Sequence, residues 1–237
     1  MTAGSLFLIP ASLGGGKPEA VLPQEVLNTA RGLRYFIVEN AKTARAELKR
    51  IGVSHPIQGI DIRELPREPE DADLEVLLAP LVDGICAGLM SEAGAPGVAD
   101  PGANLVQAAH AKGIRVVPMV GPSSILLALM ASGLNGQHFA FHGYLPVREP
   151  ERGRRIAELE RESQRTRQTQ IFIETPYRNG SLLASLLKTC KPDTQLCVAT
   201  ELTTERERIE TRQISAWLTA PLPEIEKRPT VFLFQAC

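Results

Sequence analysis

Short apolar runs alternate with amphipathic segments throughout the first half of the chain. Runs that are apolar throughout, rather than alternately polar, are typical of strands in a parallel sheet that is covered on both faces. They predict strands at residues 5–9, 35–38, 85–90 and 114–117. Apolar positions at helical spacing predict helices between them, at residues 23–31, 41–50, 74–81 and 104–112. This strand–helix alternation predicts the α/β class.

The second half of the chain repeats the alternation. Strands are predicted at residues 139–141, 170–173, 196–199 and 230–234, and helices at residues 123–131, 181–188 and 214–218. Each half therefore supplies enough strands for a sheet of its own, and large twisted sheets tend to split. We expect two α/β domains, residues 1–119 and 120–237, joined near residues 117–122.

Composition and charge narrow the possible classes of protein. The 237 residues carry 26 Lys and Arg against 27 Asp and Glu, so the net charge is −1. This balance excludes a surface that binds polyanions everywhere, although it allows a local basic patch. Four scattered cysteines and four histidines without ligand spacing indicate neither a disulfide scaffold nor a metal site. The longest apolar run, residues 125–131, is far shorter than the ~20 residues of a membrane span, and no signal peptide is visible. We expect a cytoplasmic protein that binds neither metal nor membrane.

The strongest candidate for ligand binding is the glycine-rich loop at residues 91–102, directly after a predicted strand. Ligands of open α/β sheets bind at the carboxyl ends of the strands. The glycines allow a ligand to approach the backbone, and the carboxylates of Glu92 and Asp100 can accept hydrogen bonds. Because the loop contains no Lys or Arg, it favours a neutral or cationic ligand over a phosphate. The alternative is a tight connection in which Asp100 caps the next helix, and both interpretations can hold together.

A second candidate segment, residues 118–124, places small residues and two hydroxyl groups at the start of an apolar helix. Free backbone N–H groups at such a position can bind a polar ligand. A simple N-cap role for Ser123 explains the pattern equally well. By contrast, the glycine run that ends at Lys17 is not a phosphate loop, because Pro18 stands where that motif requires Ser or Thr. A flexible turn is the favoured interpretation there.

Five segments in order match the motifs of one known family. The run from Ser91 to Gly102 corresponds to Ser-Asp-Ala-Gly-Thr-Pro…Ser-Asp-Pro-Gly, and residues 117–123 correspond to Val-Pro…Gly-Pro-Ser. The other three matches are Phe139…Gly143-Tyr144-Leu145-Pro146, Glu174-Thr175-Pro176-Tyr177-Arg178 and Ala199-Thr200-Glu201-Leu202-Thr203. These segments resemble the tetrapyrrole methylase superfamily of S-adenosylmethionine-dependent methyltransferases. The resemblance is closest to the bacterial branch that 2′-O-methylates a cytidine of small-subunit ribosomal RNA.

This resemblance implies two α/β domains that bind S-adenosylmethionine in a cleft between them, within a homodimer. A cofactor that is a cation without phosphate groups agrees with the acidic, glycine-rich loop. Carried over position by position, the family's cofactor contacts fall on Pro10, Glu92, Gly94, Ala95, Pro96, Gly121, Ser123, Ser124, Ala199 and Thr230.

The reaction that the resemblance implies is methyl transfer to a ribose hydroxyl of ribosomal RNA in the small subunit. Methyl transfer is an in-line displacement, so positioning contributes most, and a hydroxyl nucleophile also has to lose its proton. Candidate catalytic residues are Glu39, Lys42 and Arg45, which follow the second predicted strand.

Two departures from the family motifs keep other functions open. Glu92 stands in place of the motif Asp, and Tyr177 stands in place of a His. The charged run at residues 148–167 holds seven Arg and five Glu, which is a weak electrostatic footprint for RNA and is also explained by a solvated helix. The alternatives are a methyltransferase acting on a tetrapyrrole or another small molecule, and a non-catalytic protein that binds S-adenosylmethionine or RNA.

Overall fold

Two five-stranded sheets organise residues 3–237, which are the residues that the computed structural model describes. The chain divides into two compact units, and the division falls between Ser123 and Ser124. Each unit holds one of the sheets with its covering helices.

The first unit is built on an entirely parallel sheet with the strand order β3-β2-β4-β1-β5. Its elements are β1 Ser5–Leu8, α1 Gln24–Gly32, β2 Tyr35–Val38, α2 Ala41–Ile51, β3 Asp61–Glu64, α3 Asp71–Val82, β4 Ala87–Met90, α4 Ala103–Ala111 and β5 Arg115–Pro118. One hydrophobic cluster joins the sheet to α1 and α2, and another joins it to α3 and α4. The helices therefore cover both faces, as the unbroken apolar strands predict.

The second unit is built on a mixed sheet with the strand order β6-β7-β10-β8-β9. Its elements are α5 Ser124–Ser132, β6 Phe139–Tyr144, α6 Glu151–Thr166, β7 Thr169–Ile173, α7 Asn179–Thr189, β8 Gln195–Thr200, β9 Arg208–Gln213, α8 Ile214–Thr219 and β10 Thr230–Gln235. Among neighbouring strands, β6 and β7 pair in parallel. Strand β10 runs antiparallel to both of its neighbours, and β9 runs antiparallel to β8. One cluster buries α6, α7 and α8 against one face, and α5 packs against β8, β9 and β10.

The α/β class and the two-sheet architecture are confirmed, but two strands escaped the sequence analysis. Asp61–Glu64 and Arg208–Gln213 lack the apolar runs that mark the other strands. Both are edge strands of their sheets. An edge strand faces solvent along one side and can remain polar, so its sequence resembles that of a loop.

Candidate functional site

Three loops of the first unit meet at the carboxyl edge of its parallel sheet. The loops follow β1, β4 and β5, the three strands that lie side by side on one half of the sheet. Adjacent strands β4 and β1 continue in opposite directions, β1 towards β2 and β4 towards β5, and such a switch point is where open α/β sheets bind ligands. Two backbone hydrogen bonds join the first two loops, from Ala11 N to the Gly94 oxygen at 2.9 Å and from Gly94 N to the Ala11 oxygen at 3.0 Å.

Glycines allow the third loop to pack closely against the other two. A Cβ atom on Gly121 would lie 2.2 Å from Cγ of Pro10, so only glycine allows this contact. Gly94 has a φ of +73°, and a Cβ there would lie 3.2 Å from Cδ2 of Leu13 and 3.6 Å from the Pro122 oxygen. The structure thus brings together Pro10, Gly94 and Gly121, which the sequence analysis assigned to one site.

The remaining first-unit candidates lie in the same loops. Glu92 is exposed, Ala95 and Ser123 are partly buried, and Pro96 is buried. Glu92, Ala95 and Pro96 belong to the loop after β4 and Ser123 belongs to the loop after β5, so all four lie in the loops described above.

Carboxylates dominate the electrostatics of this edge. The carboxylate of Glu39, at the end of β2, accepts a hydrogen bond from the Glu92 backbone N–H at 3.2 Å. Burial first, and the neighbouring charges of Glu39 and Glu92 next, raise the pKa of Asp100 to about 6, against an opposing hydrogen bond from Ser91. Burial and nearby negative charges both disfavour the charged form of a carboxyl group. A cation bound here would relieve the repulsion.

The three candidate catalytic residues differ in the contacts that their side chains make. Glu39 lies in the acidic cluster and holds the β4 loop through Glu92. Lys42 and Arg45 lie on α2 with exposed side chains, and neither side chain forms a hydrogen bond or ion pair with any residue that the structure describes. Of the three, only Glu39 forms a side-chain hydrogen bond with another residue of this edge.

The predicted helix cap at Asp100 is wrong. The N-cap of α4 is Gly102, with a φ of +138°, and no side chain caps that helix. A Cβ at Gly102 would lie 3.0 Å from Cδ2 of Leu89. The charges of Glu39 and Glu92 act on Asp100 instead, so it is one of the carboxylates of this edge, the other role that its loop position predicts. The only sequence signal was its position in a loop after a strand.

The second unit carries the other three candidates at defined positions. Ser124 is the first residue of α5, and Ala199 lies buried near the end of β8, where it pairs with Val231. The Thr230 hydroxyl donates a hydrogen bond to the Arg228 oxygen at 3.0 Å and accepts one from the Asn179 amide at 3.2 Å. Ala199 and Thr230 thus lie on neighbouring strands at the same edge of the sheet, with the carboxyl ends of β6 and β7.

A buried glutamate on α2 holds the loop after β1 through hydrogen bonds. The sequence pattern did not predict this contact. The Glu47 carboxylate on α2 accepts hydrogen bonds from the Ser12 backbone N–H at 3.1 Å and from the Ser12 hydroxyl at 2.7 Å. It also pairs with Arg50. Because a buried carboxylate needs such partners, this contact fixes the direction in which the chain leaves Pro10.

Within residues 3–237, none of the helices has the length and apolar character needed to cross a bilayer. The same residues contain no group of three or more His, Cys, Asp or Glu side chains arranged to hold a metal ion.

Known proteins share both the sequence pattern and the fold. Residues 25–216 match the family model described as Tetrapyrrole (Corrin/Porphyrin) Methylases. Proteins named Ribosomal RNA small subunit methyltransferase I are 32% identical over 78% of this chain in Xylella fastidiosa (strain Temecula1) and 28% identical over 90% in Vibrio cholerae. The alignments span 63% and 70% of the length of these two relatives. The crystal structure of the methyltransferase CobJ superposes with a TM-score of 0.64 at 19% identity, covering 99% of this chain and 95% of that one.

Proposed function

Because the chain belongs to the tetrapyrrole (corrin/porphyrin) methylase family, we propose that it transfers a methyl group from S-adenosylmethionine to RNA of the small ribosomal subunit. The names of the relatives support the RNA acceptor. The proposal includes a homodimer as the working assembly.

The acidic, glycine-lined edge of the first sheet is the observation that carries this proposal. S-adenosylmethionine is a cation with an ammonium group and a sulfonium group, and it has no phosphate. Burial, and after it the charges of Glu39 and Glu92, raise the pKa of Asp100, and loop 91–102 contains no Lys or Arg. Gly121 packs closely on Pro10 and Gly94 packs beside Leu13, so the loops at this edge approach one another through their glycines. These residues fit the cofactor.

We assign the cofactor contacts by this fit together with the family resemblance. In the first unit they are Pro10, Glu92, Gly94, Ala95, Pro96, Gly121 and Ser123, and in the second unit Ser124, Ala199 and Thr230. When bound, the cofactor supplies an electrophilic methyl group. The loops that the Ala11–Gly94 hydrogen bonds tie together hold it in one orientation, and orientation is the main contribution that a protein makes to such a displacement.

Glu39 is the residue that we propose to accept the proton of the ribose hydroxyl. Its Oε2 atom accepts the Glu92 N–H, which orients the carboxylate, and Oε1 makes no hydrogen bond to the described residues. Lys42 and Arg45 take no part in this proton transfer in our proposal, because their side chains lie in solvent on α2. A positioned base of this kind contributes roughly 10²–10⁴-fold to a rate.

Methyl transfer from labelled S-adenosylmethionine to isolated small ribosomal subunits tests the proposal. We expect stoichiometric binding of S-adenosylhomocysteine without metal, and incorporation of label into RNA. Glu39→Gln, which keeps an acceptor for the Glu92 N–H, is expected to lower the transfer rate about 100-fold and leave S-adenosylhomocysteine affinity within twofold. Glu25→Gln, on the exposed start of α1, is the matched control. A protein that gives no heat and no thermal stabilisation with saturating S-adenosylhomocysteine is not a methyltransferase of this kind.

A further inference from the structure

A stripe of basic side chains runs along the exposed side of α2. The helix carries four basic residues and one acidic residue, so its net charge is +3. Lys42, Arg45 and Lys49 recur at intervals of three and four residues, which places them on one helix face, and all three are exposed. With a rise of 1.5 Å per residue, the stripe spans about 10 Å.

The charges of this stripe are not neutralised by neighbouring acids. Among residues 3–237, none offers an ion pair to Lys42, Arg45 or Lys49, and the one acid of α2, Glu47, is buried against Ser12 and Arg50. Helix α6 differs, although it is richer in Arg. There Arg152, Arg154 and Arg155 pair with Glu149, Glu151 and Glu158. Helix α2 therefore carries a net charge of +3 where α6 carries +1, in a chain whose net charge is −1.

The stripe begins beside the proposed site. Lys42 lies in the first turn of α2, three residues after Glu39 at the carboxyl edge of the sheet. A cation in the first turn is opposed by the helix dipole, so this placement costs stability. The Arg50 guanidinium donates to the carbonyl oxygens of Gly14 and Gly16, which holds exposed Lys17 next to the same helix.

We propose that Lys17, Lys42, Arg45 and Lys49 form the surface that contacts the phosphate backbone of the RNA substrate. This inference rests on the proposed function, because it supplies that reaction with a binding surface. Between the cations the helix exposes only Thr43 and Ala46, so the surface offers charge without apolar anchors. Such a surface fits a hydrated polyanion, whereas a protein partner requires buried apolar contacts. The absence of aromatic residues on α2 indicates backbone contact rather than base stacking.

The salt dependence of RNA binding tests the proposal. The variant carries Lys42→Gln, Arg45→Gln and Lys49→Gln together. The matched control carries Arg154→Gln, Arg161→Gln and Arg165→Gln on α6 and has the same net charge. Filter binding to isolated small ribosomal subunits is measured from 50 to 300 mM salt. We expect the α2 variant to lower the slope of log K against log salt by about 2, since each single-strand phosphate contact contributes about 0.7. At intermediate salt its affinity is expected to fall at least tenfold, while the control retains the wild-type slope.

Two further readouts separate the possible failures. Calorimetry with S-adenosylhomocysteine is expected to give the wild-type affinity for both triple variants, and thermal melting identifies any variant that does not fold. The single change Arg45→Glu is a second, less disruptive variant with the same expected direction. Wild-type protein that methylates RNA, combined with an α2 variant whose slope equals that of the control, overturns the inference and leaves the proposed function intact. Wild-type protein that binds S-adenosylhomocysteine and no RNA overturns both.

Discussion

Gly94 and Gly97 lie in the same loop with nearly the same backbone conformation, at φ values of +73° and +78°. A side chain in this left-handed region is strained by about 1 kcal/mol, so we expect Gly97→Ala to destabilise the fold by that amount and Gly94→Ala by at least as much. Only at Gly94 would the new Cβ meet neighbours, namely Leu13 and the Pro122 oxygen. Gly94→Ala is therefore expected to lower S-adenosylhomocysteine affinity as well, by at least about tenfold.

The two measurements for this pair are urea unfolding and calorimetry. An affinity loss confined to Gly94→Ala, in a variant that is still folded, would place the ligand beside Leu13 and Pro122. Equal affinities for the two variants would show that the ligand does not reach this part of the loop.

We expect Asp100 to make the free energy of unfolding fall as the pH rises through the raised pKa of its carboxyl group. Its folded-state pKa of about 6 lies above the ordinary value of 3.8, so the folded protein holds this proton more tightly than the unfolded chain does. The stability that results is present below about pH 4 and is lost as pH rises through 6. Asp100→Asn removes the effect, and we expect the variant to melt above the wild type at pH 7.5.

This prediction is tested by comparing the melting temperatures of the wild type and Asp100→Asn at pH 7.5 with those at pH 4. Both proteins carry a neutral side chain at position 100 there, so the two melting temperatures should converge. Asp193→Asn, on an exposed loop of the second unit, is the control and should show no such crossover. An advantage of Asp100→Asn that is the same at both pH values would contradict the raised pKa.

At the scale of elements, α6 and α7 are joined through one buried arginine. Arg152 is 5% exposed and donates to Ser181 at 3.0 Å, to the Val147 oxygen at 3.3 Å and to Glu149 at 3.2 Å. The Glu149 carboxylate in turn accepts the Ser185 hydroxyl at 2.7 Å. Arg152→Ala removes all three bonds and the packing of a buried side chain, while the acceptors that it leaves are exposed and can bind water, so we expect a loss of about 2 kcal/mol in denaturant unfolding.

Arg154 gives the matched control on the same helix. Its pair with Glu151 is exposed, with 69% and 54% of the two side chains accessible. Exposed pairs contribute about 0–1 kcal/mol, so Arg154→Ala should be nearly neutral. Similar losses for the two alanine variants would show that Arg152 does not join the helices.

The strands themselves show why element prediction succeeded unevenly. Central strands such as Tyr35–Val38 are buried on both faces, and their unbroken apolar runs carry the signal. Asp61–Glu64 and Arg208–Gln213 are strands because a neighbouring strand pairs with them, not because of their own composition. Pairing of this kind depends on distant segments, which a local pattern does not contain.

At the scale of the whole molecule, the proposed homodimer predicts a mass of twice 25.7 kDa. Helix α5 exposes Leu126 and Met130, one turn apart, with 51% and 79% of their surface accessible. Apolar side chains exposed together in this way are typical of interfaces. Light scattering at micromolar concentration should report about 51 kDa. Met130→Glu should lower that value towards the monomer if α5 lies in the interface, whereas about 26 kDa for the wild type would exclude the dimer.

The sequence by itself determined the α/β class, the order of most elements and the loops that reach the carboxyl edge of the first sheet. These features follow from local periodicity and from the position of each loop after its strand. Both depend only on residues that are close together in the sequence. Tertiary structure alone decided that the Glu39 carboxylate meets a backbone N–H 53 residues away and that Ala11 pairs with Gly94. It also decided which cations are neutralised, because the partner of a charge is set by strand register and helix packing. Glu47 pairs with Arg50 and leaves Lys42, Arg45 and Lys49 in solvent, a difference that counting charges along the chain does not reveal.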